Sequence, residues 1–90
     1  MHGLPFVRVA VRGAGTLHRA GFLTPYLAEL IADDVLRRPG ARLEVFIARG
    51  TDADGLRAIH DRMRSLARKG VRIVYRPARR GGAVVEPDAA

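Results

Sequence analysis

The side chains able to do chemistry are few in this chain. Three histidines, His2, His18 and His60, share none of the spacings of a metal-ligand set. His60 lies on the apolar edge of a helical stripe, where a packed or snorkelling imidazole is expected. Ser65 is the only serine, and it falls mid-helix, far in sequence from any base. A nucleophilic triad needs its serine on a turn beside a histidine and a carboxylate. Asp33 and Asp34 are adjacent carboxylates, but Arg37 and Arg38 follow directly, so an exposed, ion-paired turn is expected. Gly13-x-Gly15 follows an apolar alternation, as a dinucleotide fingerprint would. However, position 18 is histidine where a third glycine is needed, and the next helix begins too late for its N-terminus to cradle a phosphate. No catalytic residue, metal or cofactor is expected, and neither is an enzyme.

Arginine is the abundant functional group. Lys and Arg total 16 against 9 Asp and Glu, a net charge of +7, and Lys69 is the only lysine. Such an arginine bias also follows from GC-rich coding, so the charge alone identifies no ligand, although it favours loose association with polyanions. Ninety residues, 48% of them hydrophobic, make one small domain with a packed core and little room for a deep substrate cavity. Without cysteine there are no disulfides, thiolate nucleophiles or Cys zinc sites. The longest apolar run, Val45-Phe46-Ile47-Ala48, is too short to span a membrane. Met1-His2-Gly3 enters Leu4-Pro5-Phe6 without the pattern of an export signal, and a cytoplasmic location is expected.

The elements that would position these groups read as β-α-β-α-β. Val7, Val9 and Val11 share one face of a strand over 6–12. Gly13-Ala14-Gly15-Thr16 reads as a loop. Thr24 caps a first helix with Pro25 at its first position; Leu27, Leu30, Ile31 and Val35 form its stripe, and Pro39-Gly40 ends it. Leu43, Val45 and Ile47 line a second strand closed by Arg49-Gly50. Thr51 or Asp52 caps a second helix, whose stripe is Leu56, Ile59, His60, Met63, Leu66 and Ala67, stopped by Gly70. Val71, Ile73 and Tyr75 share one face of a third strand over 71–76. The single domain is expected over 1–76. Residues 77–90 read as a Pro/Gly/Arg-rich tail, with an edge strand over 83–86 as an alternative to loose chain.

Strand-helix-strand repeats imply a largely parallel core in a two-layer α/β domain. The strands' second faces carry Arg8, Arg12, Arg42, Glu44, Arg72 and Arg76, among Phe6, Ala10, Phe46 and Val74. A face buried under helices would not hold so many arginines. Both helices are therefore expected on one side, with the other side open or covered by a partner, a homodimer being one expectation.

Asp52-Ala53-Asp54-Gly55-Leu56 at a helix start, with Lys69-Gly70-Val71-Arg72-Ile73-Val74 leaving the helix, resembles the STAS domain of bacterial anti-sigma-factor antagonists and sulfate-transporter tails. In that family a strand runs into Asp-Ser-x-Gly-Leu at a helix start. Val11-Arg12-Gly13-Ala14-Gly15-Thr16 is similar to text after the first strand in some members. The resemblance covers roughly residues 6–76 and implies a mixed sheet and a non-enzymatic protein-interaction module. Its partner would be a kinase or another regulatory protein. The contact residues it implies are Arg49, Thr51, Asp52, Ala53, Asp54, Gly55 and Arg57, with Gly13, Gly15 and Thr16 from the earlier loop. Asp52 would cap the helix, Gly55 would let a partner approach the backbone and Arg57 would supply rim charge. The family's regulated serine is Ala53 here, so the resemblance implies a module that serine phosphorylation at this position cannot switch. The loop before Asp52 is shorter than usual, and the family's first edge strand and final helix are reduced or absent.

Phe46-Ile47-Ala48-Arg49-Gly50 is similar instead to the Ile-x-Ala-x-Gly run of small basic Alba-type chromatin proteins, whose order is β-α-β-α-β-β. This alternative implies nucleic-acid binding through Arg8, Arg12, Arg72, Arg76, Arg79 and Arg80; of the aromatic residues that could stack on bases, Phe6 and Phe46 fall on that face by alternation and Tyr75 on the core face.

Overall fold

The computed structural model describes residues 3–77. Six elements follow one another: β1 (Phe6–Arg12), β2 (Thr16–Phe22), α1 (Pro25–Leu36), β3 (Arg42–Ile47), α2 (Ala53–Arg68) and β4 (Arg72–Pro77). They form one four-stranded sheet in the order β2-β1-β3-β4. β1 is antiparallel to both β2 and β3, and only β3 and β4 run parallel. The sheet is therefore mixed, and the largely parallel core expected from strand-helix alternation is corrected.

The cause of that correction is β2, a strand that the β-α-β-α-β reading does not contain. Thr16–Phe22 alternates poorly, with Leu17 its only aliphatic larger than alanine, and it is an edge strand. Its place is set by pairing rather than by its own pattern: Phe6 faces Phe22 and Arg12 faces Thr16 across the hairpin. The Gly13 N–H donates to the Gly15 carbonyl at 2.9 Å within the connecting turn, and the Leu23 N–H donates to the Pro5 carbonyl at 2.9 Å at the far end. Because the hairpin reverses the chain, α1 carries it from β2 across β1 to β3.

One apolar layer lies between sheet and helices. Val7, Val9 and Val11 from β1 and Leu43 and Val45 from β3 are buried with Leu27, Ile31 and Val35 of α1 and Ile59, Met63 and Leu66 of α2. These strand residues share one pleat face. Both helices therefore pack on the same side of the sheet, as the arginine-bearing second faces imply.

The helix ends follow their local signals. The Thr24 hydroxyl accepts the Leu27 N–H at 3.0 Å with Pro25 opening α1. Gly70, at φ +90°, closes α2: its N–H donates to the Ala67 carbonyl and the Val71 N–H to the Leu66 carbonyl, the reciprocal pair of a Schellman ending. Among the described residues no helix is long and apolar enough to cross a membrane. The edge strand expected over 83–86 lies outside the described residues.

Candidate functional site

The loop from β3 into α2 is built by three side-chain and backbone devices. Gly50 turns the chain at φ +81°, a conformation L side chains rarely adopt. The Thr51 hydroxyl donates to the Ala48 carbonyl at 2.6 Å. The Asp52 carboxylate accepts the Gly55 N–H at 2.8 Å and caps α2. Of the two capping candidates, Asp52 is thus the cap and Thr51 is not. Ala53 is the first residue of α2 and is exposed. Asp54 and Arg57 form an exposed ion pair of 3.0 Å, and Arg49 is exposed on the preceding turn.

Gly55 has a different role from the one expected. It is buried, and a Cβ there would meet Thr51 Cγ2 at 2.8 Å, Asp52 Oδ1 at 3.3 Å and Pro5 Cβ at 3.3 Å. Its missing side chain lets α2 close onto the chain entering β1. It does not open the backbone to a partner.

The two halves of the surface implied by the resemblance do not come together. Val7, near the start of β1, pairs with Ile47 at the end of β3, whereas Arg12 pairs with Arg42 at its start. Gly13 accordingly sits beside Ala41, and Gly55 beside Pro5. Gly13, Gly15 and Thr16 therefore lie at the opposite end of the sheet from Arg49–Arg57, about 20 Å away at roughly 3.3 Å per strand residue.

Apolar side chains share the α2 end instead. Phe6 opens β1 and Phe22 closes β2; their rings meet edge to face, with centroids 5.5 Å apart. They remain 43% and 62% exposed, with Leu4 at 47% and Tyr26, in the first turn of α1, at 72%. Four of the six large exposed hydrophobic residues among those described thus stand at this end. The sequence hides this grouping because Phe22 sits in the strand that its own pattern does not reveal.

The face of the sheet turned away from the helices is dominated by arginine. Register places Arg12, Arg42 and Arg72 abreast on β1, β3 and β4, and Arg8, Phe46 and Arg76 abreast two pleat repeats further along. Between these rows lies Glu44, only 3% exposed. It accepts from Arg12 Nε at 2.7 Å, Arg42 Nη2 at 3.4 Å and Arg76 Nη2 at 3.3 Å. Burial pushes the Glu44 carboxyl up, but the hydrogen bonds and charges of Arg12 and Arg76 outweigh it and hold the group below its ordinary value. The Arg8 guanidinium lies 4.0 Å from the centroid of the Phe46 ring. Arg79 and Arg80 fall outside the described residues.

The remaining polar groups serve packing. Asp33 pairs with Arg37 at 3.0 Å, as adjacency in sequence implies. Asp34 does not join that turn; it pairs with Arg19, reaching from β2 to α1. His60 tilts against Tyr75, with ring centroids 4.6 Å apart, joining α2 to β4. Burial there pushes the Tyr75 phenol up, with Arg64 acting against it. His18 is exposed on β2 opposite Ala10. Among the described residues no three histidine or carboxylate side chains gather as a metal-binding group.

The sequence matches no protein-family model, no curated protein and no solved structure.

Proposed function

We propose that this chain is a non-enzymatic protein-interaction module of STAS type, and that its contact surface is the end of the molecule where α2 begins. The observation that carries this reading is the grouping of the exposed Ala53 and its Asp52 cap at the same end as the exposed Leu4, Phe6, Phe22 and Tyr26. Exposed rings with Arg49, Asp52, Asp54 and Arg57 at the same end have the make-up of a protein contact: the rings supply area to bury, and the charges fix register. The partner is a kinase or another regulatory protein, in keeping with the resemblance around Asp52 and Gly55.

Position 53 carries no hydroxyl, so a kinase cannot place phosphate there. The nearby Thr51 hydroxyl is engaged with the Ala48 carbonyl. A phosphoserine in place of Ala53 would bring about −1.5 to −2 charge between Asp52 and Asp54. In this reading the native chain binds its partner without that switch.

Photo-crosslinking in the native host tests the reading. A photoreactive residue at Phe22 should give a discrete protein adduct, one at Gly40 at the other end should not, and Ala53→Arg should abolish the Phe22 adduct. Equal adducts at both positions, or none at Phe22, would overturn it.

A further inference from the structure

We propose that the open face of the sheet binds single-stranded nucleic acid. This use rests on other residues than the protein contact where α2 begins and does not depend on it, although Phe6 and Phe22 of that contact share this face of the sheet. The inference starts from register. Arg12, Arg42 and Arg72 are direct neighbours on three adjacent strands. Strands lie about 4.8 Å apart, so three guanidinium stems are crowded within about 10 Å. Like charges directly opposite in a ladder are destabilising, and a face selected only for solubility would alternate its signs. Here one carboxylate, Glu44, is set against five arginines of the same face: Arg8, Arg12, Arg42, Arg72 and Arg76.

Glu44 does not neutralise that face; it organises it. Three arginines each give it one hydrogen bond. A guanidinium has five N–H donors, so each keeps others for an outside acceptor. Their stems converge over a buried acid, which limits the rotamer freedom a ligand would otherwise have to remove. Arg8 and Arg72 have no carboxylate partner among the described residues. The face therefore presents positive charge with fixed geometry to a repeating anion.

Stacking separates a single strand from other polyanions. The Arg8 guanidinium lies on the Phe46 ring, with Arg76 the direct neighbour of Phe46 on β4. A guanidinium plane held on a ring offers its other side to an unpaired base. Bases in a duplex have no free face for such a contact. The charge complement selects the backbone, and the Arg8–Phe46 stack selects unpaired bases.

The test is fluorescence anisotropy of the full chain with a labelled 20-nucleotide oligo(dT), the matching oligo(rU), and a duplex of equal length, across a salt series. Arg72→Glu should weaken single-strand binding about tenfold or more and make the log–log salt slope shallower by about 0.7 for each phosphate no longer neutralised. Arg62→Glu, the same charge change on α2, should stay within about twofold. Phe46→Leu, which keeps an apolar side chain and loses the ring, should weaken binding at least about fivefold, as the loss of a stacking platform implies. Equal losses for Arg72→Glu and Arg62→Glu would reduce the binding to net charge and overturn the proposal. So would duplex binding as tight as single-strand binding, or no binding at about 50 mM salt. A concentration-dependent dimer in sedimentation that oligo(dT) fails to dissociate would assign the face to a second copy instead.

Discussion

The Glu44 carboxylate accepts the Arg12 Nε–H at 2.7 Å across the diagonal of the β1–β3 ladder. It is thereby a buried acid on the side of the sheet that neither helix covers. Three arginine side chains reach it, and such side chains can cover a neighbour with their stems while their charged ends stay wet. Arg12, Arg42 and Arg76 keep side-chain exposures of 38%, 42% and 51% while Glu44 keeps 4%.

Replacing Glu44 with glutamine should therefore destabilise the domain while preserving its shape. The amide keeps the volume but turns two charge-assisted acceptors into one neutral acceptor and a donor facing guanidinium N–H groups. A loss of about 1–2 kcal/mol is expected, at the lower end for bonds to charged groups because the arginines stay half in water. Urea denaturation of the two chains at pH 7 measures it.

The same residue sets a pH dependence. Its folded carboxyl titrates below the unfolded value, so its contribution is complete above the unfolded value and is lost as pH falls through the folded one. The stability gap between the native chain and Glu44→Gln should stay constant while pH is above the ordinary glutamate value of about 4.3 and shrink as pH falls below it. Thermal melts over that series would contradict the sign if the gap widened on acidification.

Gly55→Ala should destabilise even though alanine is the better helix former by about 1 kcal/mol. The added methyl would approach Thr51 Cγ2 at 2.8 Å, and Thr51 is tied to the Ala48 carbonyl. Relieving that overlap moves α2 away from Pro5, and a net loss of about 1–3 kcal/mol is expected. A rise in melting temperature would show that the contact does not constrain the helix.

Asp52→Ala removes the acceptor for the Gly55 N–H and should cost about 1 kcal/mol, whereas Asp52→Asn should retain most of the cap. Circular dichroism melts of the three chains separate the hydrogen bond from the charge.

Local features follow from the order of residues alone. β1 over Phe6–Arg12, the Thr24-Pro25 start of α1, the Asp52 start of α2 and its Gly70 ending depend on neighbours one to five residues apart, and each appears where its signal stands. The one-sided helices are also legible, because arginines on alternate strand positions cannot sit under a helix. Whatever depends on pairing between distant residues is settled only in three dimensions. β2 is a strand because β1 offers it a ladder, since Leu17 and Phe22 alone set no period. That hairpin reverses β1 relative to β3 and moves the Gly13–Thr16 turn to the end away from the start of α2. Phe6 meets Phe22, and Glu44 comes under Arg12 and Arg76, only through the register of strands sixteen to thirty-two residues apart. Periodicity says which side of a strand a residue takes. Which residues lie beside it, and at which end, follows from backbone hydrogen bonds and a shared core that form only when the whole chain closes.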